Sequence, residues 1–385
     1  MWMDFVITMA LGAIALVWVA QAIRGAIGMR HMPHVRDAQP LADADCPSVS
    51  ILFTARDEEK KLPQALATLL ALDYPRYEVI AVNDRSTDAT ARILDEAASR
   101  HPRLKVIHIP ELPPGWLGKP HGLQRAYEAS SGEWLIFTDA DVRFAPDLLR
   151  RALAIVREKR WDHLVLLGLL ELTGVGEKIL AAYMAVALLW VEPWQVCKPR
   201  SRRFVGAGYF MLVRRAAYEA VGTHQRLRME VVEDLKLGKM VKRGGFVSGA
   251  GIAEESIQLR YCDGLRDTVR NFEKNGFGIT EFKTWLMLGI VLAILLNGVA
   301  PFVALPFVTG WAQAFAALAA LTAVSATAVA CAMQRISPLY GLAHPLGALI
   351  FCCTLLRSMV ITLRQGGIYW RGTFYPLADI RKGVV

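Results

Sequence analysis

Two acidic residues, one position apart, follow directly on an apolar run of the sequence. The run Glu133–Phe137 predicts a buried strand, and Asp139 and Asp141 come just after it. In an open α/β sheet, ligands bind at the carboxyl ends of the strands. Two carboxylates this close together need a countercharge, which a divalent metal carrying phosphate oxygens would supply. The alternative is a solvated strand-to-helix turn, in which Asp141 caps a helix that starts near Pro146.

Apolar residues are concentrated at the two ends of the chain. The sequence has 385 residues, of which 54% are hydrophobic, and its mean hydropathy is +0.31. Phe5–Ile23 carries no charge and is long enough to cross a bilayer, so we predict an N-terminal anchor over residues 1–23. No positive charge precedes this segment, which argues against a cleaved signal peptide. Arg24, Arg30 and Arg36 follow it, so the positive-inside rule places the N-terminus outside.

Three further apolar segments lie within residues 285–363. They are Trp285–Val308, Trp311–Met333 and Leu342–Leu363. Four full crossings would place the basic tail, residues 364–385, outside, against the positive-inside rule. One C-terminal segment is therefore predicted to be re-entrant or to lie in the interface. We expect a multi-pass protein of the cell (inner) membrane, with the region between its apolar ends in the cytoplasm.

The net charge and the cysteines exclude several classes of protein. A net charge of +9 suits a protein that rests on an anionic leaflet and handles phosphates. We expect no nucleic-acid partner, because the basic residues are scattered along the chain. The six cysteines show no C-x-x-C spacing, so neither a disulfide framework nor a zinc site is indicated. His121 and His224 lack metal-ligand spacing and are predicted to be structural or surface residues.

After a polar linker over residues 24–47, strand-like and helix-like patterns alternate. The predicted strands are Val49–Thr54, Glu78–Val82, Leu104–Ile109 and Trp134–Thr138. The predicted helices are Glu58–Leu72, Asp88–Arg100 and His121–Ser130. This alternation predicts an α/β fold, with a mostly parallel sheet and helices on both of its faces.

An uncharged stretch in the middle of the chain, Ile179–Val191, is too short to span a membrane. It predicts either a buried core helix or an in-plane helix over residues 176–194 that docks the domain on the membrane. Aromatic and basic residues gather at its end, among them Trp190, Trp194 and Lys198. Such residues anchor helices in an interface, so we favour the in-plane helix.

Three more acidic groups are predicted at strand or helix ends. Asp57 and Glu58 follow the first strand, where they could accept hydrogen bonds from a base or ribose or simply cap a helix. Asp84 follows the second strand and is expected to contact a nucleoside. Glu233 and Asp234 open an amphipathic segment, where a carboxylate could take a proton from an acceptor hydroxyl. The alternative for this last pair is stabilisation of a helix N-terminus.

Two glycine-containing segments are predicted to shape a site. Pro110–Gly118, just before Lys119, is rich in Pro and Gly, and it is either a rigid connector or a wall of a binding cleft. Phe204–Phe210 is glycine-rich but lacks the context of a dinucleotide fingerprint. We interpret it as a strand and turn beneath the acceptor site.

Together, these motifs resemble the family-2 glycosyltransferases, which are inverting enzymes of the GT-A fold. The matching segments are Val49–Glu59, Val82–Asp88, Gly118–Lys119, Thr138–Asp141 and Val232–Leu235. The resemblance covers residues 48–275, which we assign to a cytoplasmic catalytic domain. The apolar ends of the chain and the loop ending at Lys119 resemble the lipid-modifying subgroup, the carotenoid, hopanoid-associated and ceramide-type enzymes.

The resemblance implies a binding role for several of these residues. Asp57 or Glu58, together with Asp84, would hold the base and ribose of a nucleotide-sugar, in which we expect UDP. Lys119 would lie close to the nucleotide, where a cation helps to neutralise phosphate. Asp139 would lie near the ribose and sugar.

The resemblance also implies the metal ligands and the base. Asp141, with Asp139 beside it, would ligate Mg²⁺ or Mn²⁺ bridging the diphosphate. Asp234, with Glu233 next to it, would be the general base. A metal that stabilises the leaving group and one carboxylate that deprotonates the acceptor suffice for a single displacement, so inversion is expected.

The sequence departs from the polymerising members of the same clan. Those enzymes carry Q-x-x-R-W after the base, whereas Gln258–Tyr261 is one residue short and lacks the Trp. This favours the transfer of one sugar. Arg260 is similar to an Arg of the lipid-modifying subgroup. Beyond it, Arg266, Arg270 and Lys274 share one helical face, which is predicted to meet the diphosphate or lipid headgroups or, alternatively, to be merely solvated.

The sequence therefore predicts a membrane enzyme that moves one sugar from a nucleotide-sugar to a lipid hydroxyl at the cytoplasmic leaflet. One alternative is transfer to polyprenyl phosphate, an acceptor that is already anionic and needs little base catalysis. Another is a membrane-tethered sugar-nucleotide-binding scaffold without turnover. A transport core is disfavoured because residues 48–275 are too polar.

Overall fold

The computed structural model of the protein describes residues 2–260 and 262–383. Met1, Val384 and Val385 lie outside the described residues, as does Tyr261, the last residue of the segment compared with Q-x-x-R-W. The chain divides into two compact units. Unit 1 comprises Met1–His31, Leu172–Glu192 and Tyr261–Tyr369, and unit 2 comprises Met32–Glu171, Pro193–Arg260 and Trp370–Val385.

Helices occur throughout the described chain. The α-helices are α1 (Trp2–Arg30), α2 (Leu62–Leu70), α3 (Thr90–Ala98), α4 (Gly118–Glu128), α5 (Leu148–Lys159), α6 (Val175–Val191), α7 (Arg215–Ala220), α8 (Glu233–Arg243), α9 (Leu265–Asn275), α10 (Thr284–Gly298), α11 (Ala300–Ala304), α12 (Gly310–Met333), α13 (His344–Gln365) and α14 (Leu377–Lys382). Short 3₁₀ helices lie at Val35–Asp37, Asp43–Asp45, Pro193–Gln195, His224–Leu227, Gly278–Thr280 and Pro338–Ala343.

The strands belong to one large and one small sheet. They are β1 (Val49–Ala55), β2 (Tyr77–Asp84), β3 (Leu104–Ile109), β4 (Trp134–Phe137), β5 (Val142–Phe144), β6 (His163–Leu170), β7 (Met211–Arg214), β8 (Ser248–Leu259), β9 (Gly367–Trp370) and β10 (Thr373–Pro376). The large sheet has the strand order β3-β2-β1-β4-β7-β6-β8-β5, and β9 and β10 form the small one.

The large sheet is mixed, and its first half is parallel. β1 pairs in parallel with β2 and β4, and β2 with β3, so the carboxyl ends of these four strands lie at one edge. β7 runs antiparallel to β4 and β6, and β5 runs antiparallel to β8. β6 and β8 are parallel to each other. This sheet, with helices between its strands, confirms the predicted α/β fold with a mostly parallel sheet.

The central strands are apolar along almost their whole length because helices cover both faces of the sheet. Ile51, Phe53 and Ile80 are fully buried, although they do not all point to the same face. Burying a side chain of this size contributes about 1.5–3 kcal/mol each relative to leaving it exposed. The burial of β1 and β2 therefore fixes where their carboxyl ends, and the polar residues that follow, must lie.

The first helix of unit 2 is shorter than the predicted Glu58–Leu72. α2 starts at Leu62, with a proline in its first turn, the position where a missing backbone N–H costs no helical hydrogen bond. The preceding residues are held by another loop, since the Glu58 amide donates to Thr90 Oγ1 at 2.8 Å and the Glu59 amide to Asp88 Oδ2 at 3.0 Å. The turn before α2 is thus shaped by tertiary hydrogen bonds.

Unit 1 contains the long apolar helices. Among the described residues, α1, α12 and the segment Pro338–Gln365 are each long and apolar enough to cross a membrane. The predicted segment Trp285–Val308 is two helices, α10 and α11, which divide at Val299, and Pro301 fits the first turn of α11. Leu265–Thr280 and Thr284–Gly298, bent by 110°, would be a fourth span if they form one broken span, and otherwise a re-entrant loop.

The stretch predicted as a core or in-plane helix is α6, which lies in unit 1. Its buried residues include Leu180, Ala182 and Val186, and it packs against α12 and α13. Tyr183 forms ring contacts with His344 and with Phe351 at centroid distances of 5.2 and 5.8 Å. One face of α6 is therefore covered by the apolar helices of the same unit.

Candidate functional site

A lysine, Lys61, lies close to the acidic pair that follows β4, but it only partly compensates the negative charge of the pair. Asp141 Oδ2 is 3.3 Å from Lys61 Nζ, which also donates a hydrogen bond to the Arg260 carbonyl at 3.1 Å. Burial and the charge of Asp139 raise the pKa of Asp141, and Lys61 offsets this only in part. The next helix, α5, has Asp147 at its N-cap, so Asp141 does not cap it.

A lysine joins the end of β4 to the start of α8. Lys119 Nζ lies 2.7 Å from Asp139 Oδ1 and 2.7 Å from Glu233 Oε1. Burial lowers the pKa of Lys119, but the charges of Asp139, Glu233 and Asp234 outweigh this effect and raise the pKa well above its usual value. Burial raises the pKa of Glu233, which Lys119 opposes. Lys119 is therefore a fixed positive charge between two acidic motifs.

The predicted base, Asp234, faces the same space as Asp139. A Cβ atom added to Gly208 would lie 3.0 Å from Lys119 Nζ, 3.1 Å from Asp139 Oδ2 and 3.4 Å from Asp234 Oδ2. The other carboxylate oxygen of Asp234 accepts a hydrogen bond from the Leu235 amide at 2.7 Å, which fixes the side chain at the start of α8. The fold thus brings together charged residues that are far apart in sequence.

The glycine-rich segment Phe204–Phe210 is not a strand, which corrects the prediction. It is an irregular loop with a turn at residues 208–209, and β7 begins only at Met211. A Cβ on Gly206 would collide with the backbone of Asp234, and one on Gly238 would collide with the Val205 carbonyl. Because Gly206 and Gly238 have no side chain, this loop can lie close to the first turns of α8.

Gly238→Ala tests this close approach. We expect the substitution to destabilise unit 2 by about 1–3 kcal/mol, because the loop must move away from α8 to admit the methyl group. The thermal midpoint Tm of the purified protein should fall by several degrees. Gly289→Ala is the matched control, since Gly289 also lies in a helix but has open space around its Cβ position. Equal Tm values for the two variants would contradict the packing argument.

The loops after β1 and β2 are tied together by Asp57. Its Oδ1 accepts hydrogen bonds from the Thr87 amide at 2.7 Å and from Thr87 Oγ1 at 3.2 Å, and its amide donates to Ser86 Oγ at 3.1 Å. Glu58, the next residue, forms an ion pair with Arg371. Burial raises the pKa of Glu58, Arg371 opposes the shift, and the charge of Asp141 adds to it. Glu58 therefore belongs to the same electrostatic network as Asp141.

Asp84 ends β2 and is bound by the residue after it. Arg85 donates from Nε to Asp84 Oδ1 at 2.7 Å and from Nη2 to Oδ2 at 3.1 Å. Asp84 raises the pKa of Arg85, burial opposes this shift, and Tyr375 in β10 adds to it. A Cβ on Gly118 would collide with Asp84, so the start of α4 packs directly on this carboxylate.

A cleft of about 790 Å³ opens beside Arg85. Its walls are the loop 110–116, Arg228, Met229 and C-terminal residues between Thr373 and Gly383. The volume lies in the range of roughly 300–1,000 Å³ that small-molecule sites occupy. The Pro- and Gly-rich loop before Lys119 is thus a wall of a cleft.

Some predicted site residues have other surroundings. Arg260 Nη1 donates to the Glu171 carbonyl at 3.4 Å, and its own carbonyl accepts from Lys61. Arg266 lies on α9 in unit 1, whereas the other predicted site residues lie in unit 2.

His224 is buried and its Nδ1 is hydrogen-bonded to the Tyr218 hydroxyl at 2.7 Å, in keeping with a structural residue.

Three residues of the site, Lys61, Arg371 and Tyr375, are not among those predicted from the sequence. Arg371 and Gly372 both have positive φ, as a two-residue hairpin turn between β9 and β10 requires. The Arg-Gly pair between two short apolar runs could have predicted that hairpin. Its contact with Glu58 is non-local, and no local pattern signals it.

The charge of the network suits a divalent cation that arrives with a diphosphate. Among the described residues, the network contains more carboxyl groups than cations, namely Glu58, Asp139, Asp141, Glu233 and Asp234 against Lys61, Lys119 and Arg371. In the described chain, no three His, Cys, Asp or Glu side chains form a metal-binding group. Mg²⁺ is often held by one or two carboxylates plus substrate phosphates, and Asp139 and Asp141 fit that arrangement.

Two buried histidines, His224 near Lys119 and His163, should make the folded protein less stable in acid. Burial and the charge of Lys119 lower the pKa of His224 to about 3, and burial lowers that of His163 to about 4. Below pH about 6.5 the unfolded chain binds protons that the folded chain does not, so stability should fall by up to about 1.4 kcal/mol per pH unit for each histidine. Above pH about 6.5, these two histidines no longer make the stability of the protein depend on pH.

His224→Gln should flatten the dependence of Tm on pH between about 6.5 and 4, although His163 leaves part of the slope. Thermal melts of the purified variant and the wild type at a series of pH values measure this difference. An unchanged slope would contradict the assignment of His224 as a buried neutral group.

Comparison with known proteins relates this chain to glycosyltransferases. Residues 50–168 match the model of the family described as glycosyl transferase family 2. A beta-monoglucosyldiacylglycerol synthase from Synechocystis sp. is 32% identical over 145 residues, which cover 35% of this chain and 30% of the relative. The alignment thus spans less than a third of that relative's length.

Two further comparisons extend over most of the chain. A 4,4'-diaponeurosporenoate glycosyltransferase from Staphylococcus aureus is 23% identical over 359 residues, covering 86% of this chain and 89% of the relative. The structure of a mannosyltransferase from Pyrobaculum calidifontis, in complex with GDP-Man and Mn²⁺, superposes with a TM-score of 0.54 at 18% identity, covering 92% of this chain and 99% of that one. These findings confirm the fold and the resemblance to family-2 glycosyltransferases that the motifs predict.

Proposed function

We propose that the protein transfers one sugar from a nucleotide-sugar, with UDP as the nucleotide, to a hydroxyl group of a membrane lipid at the cytoplasmic leaflet. The convergence of Asp139, Lys119 and Asp234 around Gly208 carries this proposal. It brings a carboxylate that we assign to the diphosphate side, Asp139, and the candidate base, Asp234, within 3.1 and 3.4 Å of one point beside Gly208. The names of two relatives, a glucosyldiacylglycerol synthase and a diaponeurosporenoate glycosyltransferase, support a lipid acceptor.

The donor end of the site is the edge of the sheet at β1, β2 and β4. Asp141 and Asp139 would hold Mg²⁺ or Mn²⁺ together with the donor's diphosphate. When bound, the cation would stabilise the negative charge that develops on the leaving group. Asp57, Glu58 and Asp84 would position the nucleoside, with the cleft beside Arg85 as the space for it.

The acceptor end is the start of α8. Asp234 would take the proton of the acceptor hydroxyl as the oxygen attacks the anomeric carbon. Lys119 would hold Asp139 and Glu233 in place, because it contacts both at 2.7 Å. One base and one leaving group complete the reaction without a covalent intermediate, so we propose inversion at the anomeric carbon.

We further propose the placement of the protein in the membrane. Residues 1–23 would anchor it with the N-terminus outside, residues 24–47 would link the anchor to a catalytic region over residues 48–275, and residues 285–363 would form the C-terminal membrane segments ahead of a tail over residues 364–385. The excess of Arg just after residue 23 supports a cytoplasmic catalytic region in the inner membrane. A lipid acceptor held in the bilayer would then reach the site without crossing water.

The test is donor turnover by the full-length protein in lipid nanodiscs. A panel of UDP-sugars with Mn²⁺ and a bacterial lipid extract should release UDP and form a hexosyl lipid detectable by mass spectrometry. The same lipid should be missing from cells that lack the gene. Binding of UDP without its release from any donor would favour the scaffold alternative and overturn the proposed activity.

A further inference from the structure

Four carboxylates of the site have protein cations as partners in the structure. Glu58 has Arg371, Asp139 and Glu233 share Lys119, and Asp141 has Lys61. The contact of Lys61 with Asp141 is longer than the contacts of Lys119 with Asp139 and Glu233. Lys61 Nζ contacts a single carboxylate at 3.3 Å and one carbonyl at 3.1 Å, whereas Lys119 contacts two carboxylates at 2.7 Å.

The position of Lys61 allows it to move. It lies in the turn between β1 and α2, directly before Leu62, and its side chain is about one-third exposed. A lysine is a compact charge on a flexible stem, so its ammonium group can exchange one oxygen partner for another nearby. Asp141, in contrast, lies in the short turn between β4 and β5, and its side chain is only 20% exposed.

We propose that Lys61 occupies Asp141 in the absence of donor and passes to the donor's diphosphate when a divalent cation binds this carboxylate. This inference rests on the proposed function. A divalent cation and an ammonium group next to the same carboxylate repel each other. Metal binding therefore favours release of Lys61, which lies 3.3 Å from its carboxylate, over release of Lys119, which lies 2.7 Å from each of two. The diphosphate provides Lys61 with a new anionic partner, which couples metal binding to nucleotide binding through this chain's own lysine.

The coupling has a measurable size. Allosteric and linked binding equilibria commonly change an affinity by roughly 5- to 150-fold. We expect the wild-type protein to bind Mn²⁺ at least about 5-fold more tightly in the presence of UDP than in its absence. By reciprocity, Mn²⁺ should tighten UDP binding by the same factor.

The experiment measures free Mn²⁺ by electron paramagnetic resonance during titration of the full-length protein in detergent, with and without UDP. Lys61→Met should tighten Mn²⁺ binding without UDP and should reduce the factor by which UDP improves it. Lys61→Arg keeps the charge and should retain most of the coupling. Lys60→Met, at the exposed neighbouring position, is the matched control and should behave as the wild type does.

The outcomes separate this inference from the proposed function. If UDP and Mn²⁺ bind and a donor is turned over, yet Lys61→Met leaves both Mn²⁺ affinities unchanged, the role of Lys61 is overturned and the proposed function stands. If the wild-type protein binds neither Mn²⁺ nor UDP and releases no UDP from any donor, both fail. Thermal melts of Lys61→Met and Lys61→Arg show whether each variant is folded, and Lys61→Arg without coupling would also contradict the proposal.

Discussion

Replacing Asp234 with Asn should lower kcat for sugar transfer by about 10²–10⁴-fold, the usual contribution of general base catalysis. Asn has the same shape and can still accept the hydrogen bond from the Leu235 amide, so the start of α8 should be preserved. Donor binding should change little, because the cleft and Asp141 remain intact. The measurement is the rate of UDP release with a lipid acceptor at saturating donor, together with the Kd of UDP.

The matched variant is Glu233→Gln, which alters the neighbouring residue. Glu233 contacts Lys119 rather than facing Gly208, so its loss should disturb the position of Lys119 and should affect donor binding as well as turnover. Turnover that survives Asp234→Asn would contradict its role as base. Such a result would favour polyprenyl phosphate as the acceptor, because its oxygen is already ionised and needs no deprotonation.

The fold was predictable where periodicity is strong. β3 has the predicted bounds, Leu104–Ile109, and β1 and β4 differ from the prediction by one residue. β1 and β4 are buried on both faces, and β3, although it is an edge strand, is a short run bounded by polar turns. β6 and β8 were not predicted, although each is eight residues or longer. β6 is interrupted by Gly168, and β8 mixes glycine and alanine with branched residues. Their pairing joins segments that are about eighty residues apart, which no local pattern reveals.

The site was predictable to the extent that its residues follow strands. Asp84 and Asp141 lie at the expected edge because parallel strands carry their carboxyl ends together. The partner of each acidic residue was not predictable. Arg371 reaches Glu58 across 313 positions, and Lys61 reaches Asp141 across 80. Such contacts depend on how loops fold over the sheet. A single ion pair leaves no recognisable pattern in the sequence around either of its residues.

Asp141→Asn should lower kcat by about 10²-fold or more, because a bound cation supplies several kcal/mol of transition-state stabilisation. Unlike Asp234→Asn, it should also weaken the binding of Mn²⁺ in the presence of UDP, since the substitution removes the charge that would hold the metal. Titration of Mn²⁺ with UDP present, together with the rate of UDP release, measures both effects. The same Asp-to-Asn change at the exposed Asp37 is the control and should alter neither quantity.

The pair of variants separates metal binding from base catalysis at one site. The carboxyl group of Asp141 is only 20% exposed and its pKa is raised by burial, so the folded protein holds it in surroundings that favour a bound cation. Asn at this position carries no charge, so it no longer favours a bound cation, and it leaves Lys61 without its carboxylate partner. If Asp141→Asn kept the Mn²⁺ affinity and the turnover of the wild type, Asp141 would not be the ligand. The cation would then have to be held by Asp139 alone or not be required at all.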